Sequence, residues 1–388
     1  MNLARPLGVE ALRARVSSSL TAERRLRAAA ESTFAPLSDS IRRVVAAVSV
    51  SRIYGYAQDL FAFDSKFITQ PGNRRAIEYL QRTLASFGYE PELQWFEPRP
   101  GIRSANVIAT LRGTVSPDVV YVVSSHFDSV ERGPGADDNT SGTTALLEAA
   151  RVLVGNPQPA TIQFAFFTGE EAGLLGSREF VRRAQADGVR IAGALNNDMI
   201  GWANDQRLDN TIRYSNDGIR DIQHGAAMLF TDLITYDSRY YQNTDAAAYY
   251  EAYGDIVGGI GSYPILGNPH YHQSHDVLET INQRLVAEVS KTTVATIMLL
   301  ASTPARPADL TLAGTGSDGV TVAWAPAPER DIAAYRVAWG PPADPLRHRT
   351  TVQTPRAVLP QAAADAVVSV KAVNRRGLES WDWARIKR

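Results

Sequence analysis

The 388-residue sequence contains no cysteine, which excludes disulfides, thiolate-held metals and a cysteine nucleophile together. It also lacks an excess of charge of either sign: 40 Lys and Arg stand against 41 Asp and Glu, a formal balance of −1. Such a balance gives no electrostatic reason to bind nucleic acid or an anionic membrane. No apolar run approaches the roughly 18 residues that a membrane-crossing helix needs. The opening residues, MNLARPLGVEALRARVSSSL, hold no continuous apolar stretch of the signal-peptide kind. What is present, 44% hydrophobic and 21% charged residues, is the composition of a globular chain long enough for two domains.

The arrangement along the chain supports that division. Residues 1–45, with LTAERRLRAAAESTF, read as a helical amino-terminal arm. Residues 46–302 carry amphipathic helices such as NRRAIEYLQRTLASFG, with apolar residues at i, i+3, i+4 and Gly88 placed as a C-cap. Strand-like runs follow: PELQWFEP, SANVIATLRG, DVVYVVSSH, TIQFAFFTG and IAGALNNDMIGW. Helical stretches at 141–155 and 173–188 separate some of these strands, and QRLVAEVSKTTVATIMLLAS closes the region as a long helix. This alternation predicts an α/β fold with a mixed, largely parallel central sheet between helices. TPARPAD (303–309) reads as a linker, and 310–388 as about seven short strands of a small all-β sandwich. Trp324, Tyr335 and VKAVNRRGLES resemble the fibronectin type III pattern.

Chemistry-bearing residues recur where apolar segments end. His126 and Asp128 follow one strand, and Asp137 and Asp138 stand in GPGADDNTSG before a helix. Glu170 and Glu171 follow a second strand, Asp198 ends a third, and NPHYHQSHDV supplies His270, His272, His275 and Asp276. Each alone has an ordinary explanation: a surface pair, a helix N-cap, or acids near a helix amino terminus. Ligands of open α/β sheets gather outside the carboxyl ends of the strands. Five such clusters at successive ends therefore point to one shared site.

The series HFD, GADDNTSG, TGEEAGLLGS, NND and YHQSHD resembles the dinuclear zinc exopeptidase family of bacterial leucyl-type aminopeptidases, glutamate carboxypeptidases and glutaminyl cyclases. The resemblance spans roughly residues 48–300. It implies two Zn²⁺ per chain held by His126, Asp138, Glu171, Asp198 and His272, with Asp138 bridging. Asp128 is then the carboxylate behind the His126 imidazole, fixing its tautomer. Glu170 becomes the general base that takes the proton of a water shared by the metals and later returns it to the leaving amine. The three carboxylates and one hydroxide balance the charge of two Zn²⁺, with no thiol required. His270 and His275 fall outside the ligand set. Tyr241 corresponds to an oxyanion-steadying tyrosine, although Thr244-Asp245-Ala246 stands where the family carries Ser-Asp-His.

The resemblance implies an enzyme acting on peptide or protein substrates, an aminopeptidase releasing amino-terminal residues. A carboxypeptidase or dipeptidase of the same family, and a catalytically silent metal-binding or adhesive module, are the alternatives. Retention of Glu170, which metal binding does not need, argues against the silent module. Fibronectin-like modules resemble those of secreted bacterial members, which implies a secreted or periplasmic protein whose β domain tethers it to a surface or substrate. The small and aromatic segment DAAAYYEAYGDIVGGIG (245–261) is the expected source of an apolar specificity pocket.

Overall fold

A computed structural model describes residues 8–262, 267–316, 319–360 and 365–387. Among these, helices run over α1 (Val9–Phe34), α2 (Ser38–Val45), α3 (Val50–Phe61), α4 (Pro71–Phe87), α5 (Gly142–Leu153), α6 (Leu175–Ala186), α7 (Asp217–Phe230), α8 (Ala246–Tyr253) and α9 (Gln283–Leu300). The first sheet uses β1 (Glu92–Arg99), β2 (Ile102–Leu111), β3 (Ser116–His126), β4 (Ala160–Phe167), β5 (Arg190–Asp198), β6 (Asp209–Arg213), β7 (Ile234–Ser238) and β8 (Val257–Gly261). Its order is β1-β2-β4-β3-β5-β8-β6-β7. β4, β3, β5 and β8 form a parallel centre, while β1–β2, β2–β4 and β6–β8 pair antiparallel. The fold is the expected mixed, largely parallel α/β sheet.

The topology explains the helices on both faces. The chain leaves β3, returns through α5 to β4, then crosses through α6 to β5 on the far side of β3. Strand residues alternate between faces, and β4 shows both. Phe164 meets Tyr89 on one face at 5.9 Å, and the Tyr89 hydroxyl donates to the Ala150 carbonyl in α5. Phe167 on the other face meets Phe180 of α6 and Tyr249 of α8 at 5.4 and 6.4 Å. The β4 to β5 crossing over β3 puts the topological switch beside the end of β3, the place where open α/β sheets bind their ligands.

Three segments differ from expectation: 245–261, the amino-terminal arm and 303–309. Residues 245–261 are framework rather than a pocket loop: Ala246, Ala247, Ala248 and Tyr249 are buried in the core, and Val257–Gly261 is a strand between β5 and β6. VGGIG hides its strand character because three of its five residues are glycine. At Gly259, with φ +145°, a Cβ would lie 1.9 Å from the Asn196 carbonyl oxygen. The arm is also less separate than its sequence suggests. Its final turns bury Ala30 and Phe34, and α2 buries Ile41, Val44 and Val45 in the core of the sheet domain.

Residues beyond α9 form two antiparallel sheets: β9 (Thr311–Gly316), β10 (Gly319–Ala323) and β13 (Arg356–Leu359), and β11 (Ile332–Gly340), β12 (His348–Val352), β14 (Val367–Asn374) and β15 (Ala384–Lys387). Trp324 and Tyr335 meet edge to face at 5.3 Å in their core. The 303–309 segment is packed rather than free. Asn374 and Arg376 donate to the Ser302 carbonyl, Ser380 donates to the Ala305 carbonyl, and Trp381 joins the core of the sheet domain.

Phe34 is 1% exposed and lies edge to face against Phe230 of α7 at 5.3 Å. Phe34→Ala should lower stability by about 3–5 kcal/mol, the usual cost of emptying a buried aromatic site. Denaturant unfolding checks this, and a loss below about 1 kcal/mol would show that the arm is not part of the cooperative core.

Candidate metal centre

The parallel strands β3, β4 and β5 end on one side of the sheet, and each delivers acid or imidazole there. His126 is the last residue of β3, Asp198 the last of β5, and Glu170 and Glu171 stand just beyond β4. Asp138 comes from the turn that opens α5, and His272 from a loop where its own φ is +59°. Two groups of possible ligands result: His126, Glu170 and Asp198, and Asp138, Glu171 and His272. Within each, the donor atoms lie within 4.8 Å of one another.

Asp138 stands between the two histidines. Its Oδ1 is 3.3 Å from His126 Nε2, and its Oδ2 is 3.2 Å from His272 Nε2. His126 Nε2 is also 3.4 Å from Asp198 Oδ1, and His272 Nε2 is 3.1 Å from Glu171 Oε2. Glu171 Oε1 is buried without a hydrogen-bond partner.

Asp128 joins two of the clusters. Its Oδ1 lies 3.5 Å from His126 Nδ1, and its carboxylate accepts the backbone N–H groups of Glu170 and Glu171 at 3.2 and 3.3 Å. One buried carboxylate thus orients the imidazole and fixes the backbone of the adjacent glutamates. Asp276 does similar work on the other side, accepting the N–H groups of Asp137 and Asp138. Asp137 turns away from the clusters: it accepts from Gly201 N, Trp202 N and Asn268 Nδ2 at 2.7, 3.1 and 2.8 Å.

The electrostatics show an unmet demand for positive charge. Burial pushes the Glu170 carboxyl well above its ordinary range, and lifts Glu171 to about 7. Burial works against a charged His126, but Glu170 and the hydrogen bonds to Asp128, Asp138 and Asp198 outweigh it and raise the imidazole pKa. For His272, hydrogen bonds to Asp138 and Glu171 likewise overcome burial and raise it to about 10. Burial alone would raise Asp138, yet its two histidine partners draw it below the usual carboxylate range. Carboxylates crowded in a desolvated crevice collect protons wherever cations do not compensate them. The donors are all imidazole nitrogen or carboxylate oxygen, the set that zinc accepts, and Glu171 keeps a buried oxygen with no hydrogen-bond partner. The residues fit the metal.

The pattern of peptidase family M28 matches residues 106–297. The chain belongs to this family. Among curated relatives, a probable zinc metalloprotease of Pyricularia oryzae is 40% identical over 114 residues, covering 27% of this chain and 23% of that protein. A probable leucine aminopeptidase 1 of Trichophyton verrucosum is 27% identical, covering 68% of this chain and 77% of the relative. The LapA aminopeptidase of Legionella pneumophila superposes with a TM-score of 0.61 at 21% identity, over 68% of this chain and 74% of LapA, and shares the fold. The M28 chain is therefore an enzyme of the zinc metallopeptidase class.

Other residues of interest fall unevenly around the M28 site. Tyr241 does not join the clusters; its ring packs on Tyr250 at 4.3 Å, and the groups acting on its hydroxyl are Tyr250, Arg239 and Asp255. Tyr271 is the tyrosine beside the site. Its ring stacks on His272 at 3.8 Å, and besides burial its hydroxyl feels Asp138, Glu171, Asp198 and Glu170. Adjacency to His272 in the sequence does not by itself fix which way its ring packs. His270 and His275 pair with each other, Nδ1 to Nδ1 at 2.9 Å. Arg213, buried at the end of β6 with Nη1 3.6 Å from Asp198 Oδ2, has no signature in its sequence neighbourhood.

Asp137→Ala would leave the buried Gly201 and Trp202 N–H groups and Asn268 without their acceptor. The expected loss is on the order of 3 kcal/mol, read by denaturant unfolding. An unchanged midpoint would show that water replaces the carboxylate at no cost.

Proposed function

We propose that this M28 enzyme is a two-zinc aminopeptidase that releases amino-terminal residues from peptides. The observation that carries the reading is the Asp138 carboxylate, with one oxygen toward His126 and the other toward His272 at 3.3 and 3.2 Å. A carboxylate so divided suits two ions at once. His126, Asp138 and Asp198 would hold one, and Asp138, Glu171 and His272 the other. Zinc bound there supplies Lewis acidity, lowering the pKa of a water and polarising the scissile carbonyl.

The protein's own groups do the rest. Glu170 reaches the same space as His126 and Asp198, but Asp138 already serves both ligand sets, which leaves Glu170 free to carry protons. It takes one from the attacking water and gives it to the departing amine, so the peptide nitrogen leaves neutral. Asp128 keeps His126 oriented and holds Glu170 and Glu171 by their backbone. The Tyr271 hydroxyl replaces Tyr241 as the candidate donor to the oxyanion of the tetrahedral intermediate.

A carboxypeptidase needs basic groups open to the substrate's free carboxylate. The cations beside the site, Lys66 and Arg213, are buried, Lys66 donating to the Pro134 carbonyl and Arg213 lying 3.6 Å from Asp198. That distinguishes the aminopeptidase reading from the carboxypeptidase one, and Glu170 in reach of the cluster speaks against a silent binding module. We read the carboxyl-terminal sheets as a fibronectin type III-like domain that tethers the enzyme to a surface or substrate, and place the protein in the secreted or periplasmic space; cell fractionation tests the latter.

Peptides with a free amino terminus should be cleaved and their acetylated counterparts left intact, as followed by mass spectrometry. Equal cleavage of both would overturn the aminopeptidase reading. Purified protein should carry two zinc ions per chain by elemental analysis, a stoichiometry following from the divided ligand set. Glu170→Gln should keep that metal and lose turnover by about 10²–10⁴-fold; full activity in this variant would remove Glu170 from the mechanism.

A further inference from the structure

Lys66 is fully buried, with 0% of its surface exposed, and lies beside the M28 site without belonging to either ligand group. Lysine is seldom buried so completely, because an ammonium away from water needs compensating partners. Its Nζ donates to the Pro134 carbonyl, and Asp276, Asp128, Asp64 and Asp138 act on its charge. Pro134 begins the turn that ends in Asp138. At the far end of this turn, Asp276 accepts Asp137 N at 2.9 Å and Asp138 N at 3.0 Å, and the Asp276 carbonyl accepts Ala136 N at 3.2 Å.

We propose that Lys66 is a positioning residue for the metal centre: with Asp276 it clamps the Pro134–Asp138 turn and thereby sets where the Asp138 carboxylate stands. The neighbouring bonds are arranged to the same end. The Lys66 N–H donates to Ser129 Oγ at 3.0 Å, and Ser129 Oγ donates to the Gly133 carbonyl at 2.9 Å. Ser65 Oγ donates to the Val130 carbonyl at 3.0 Å, and Asn73 Nδ2 holds the Lys66 carbonyl at 2.9 Å. The residues from 127 to 135 form neither helix nor strand, and these side-chain bonds add to the few backbone ones, Phe127 N to the Phe167 carbonyl and Gly133 N to the Val130 carbonyl, in fixing their path. Gly135, at φ +58°, allows the tight turn; a Cβ there would lie 2.1 Å from the Asp138 carbonyl oxygen. Opposite charges grip opposite ends of the turn, and each favours the charged form of the other.

The inference rests on Asp138 being a zinc ligand, and it predicts a sign that simple charge does not. A lysine cation near two zinc ions repels them, so removing it should tighten binding if Lys66 acts only through its field. If it positions Asp138, removing it should weaken binding. Zinc affinity of the full chain, measured by competition with a chelator, separates the two. Lys66→Met should bind zinc about 10–100-fold more weakly, the usual effect of losing a residue that supports a ligand. Lys66→Arg, which keeps charge and donor, should recover most of the loss. Should Lys66→Met fail to fold, Lys66→Gln keeps a donor for Pro134 without the charge and should still bind about tenfold more weakly. Binding by the folded neutral variant that equals or exceeds that of the unaltered chain overturns the proposal. An unaltered chain that takes up no zinc would instead overturn the two-zinc reading on which it rests.

Discussion

The structure turns on the placing of one carboxylate, that of Asp138, between imidazoles delivered by distant parts of the chain. His126 comes from the end of β3 and His272 from a loop more than a hundred residues later, yet both meet Asp138 within 3.3 Å. Bringing them together also crowds Glu170, Glu171 and Asp198 into a desolvated crevice. Such a grouping is unfavourable for an isolated protein, because buried like charges repel and lose hydration. Its persistence makes sense where cations compensate it. The sheet serves that arrangement by ending three parallel strands side by side at the topological switch.

A surrounding layer of buried polar groups holds the site in register. Asp128 ties an imidazole to the backbone of two glutamates, Asp276 ties the turn of Asp138, and Asp137 fastens that turn to Gly201 and Trp202. Carboxylates adjacent in the sequence do different work. Asp137 and Asp138 are adjacent, but only Asp138 faces the histidines. Glu170 and Glu171 share Asp128 through their N–H groups, while only Glu171 lies against His272. Adjacent side chains leave the backbone in different directions, so one turn can supply both a structural anchor and a reactive group.

The β-rich portion is joined to the sheet domain by more than its connecting segment. Arg330 pairs with Asp118, and Asp382 accepts from Asn216, the N-cap of α7, while lying 3.5 Å from Arg306. Trp381 adds an apolar anchor in the core of the sheet domain. The proline-containing segment that reads as a linker is packed at its start, where Thr303 and Ala305 are buried, and reaches the surface at Asp309.

The alternation of strands and helices, the acids and histidines at strand ends, and the β-rich character of the tail were all legible because they depend on local periodicity and turn chemistry. Their common destination was suggested by strand-end placement and by the family resemblance. Other features had no local signal. The glycines of 257–261 conceal an inner strand, and they stand there because a Cβ would collide with Ile219 at Gly258, with the Asn196 carbonyl at Gly259 and with the Asp198 carbonyl at Gly261. Tyr241 and Tyr271 are both tyrosines in loops, and only packing sends one to Tyr250 and the other to His272. Lys66 reads as an ordinary surface residue until folding closes the 129–138 loop over it. The sequence by itself determined the kinds of group available and the order of the elements carrying them. Which groups face one another, and which are cut off from water, was decided by tertiary structure, because burial and charge pairing depend on distances that local sequence does not specify.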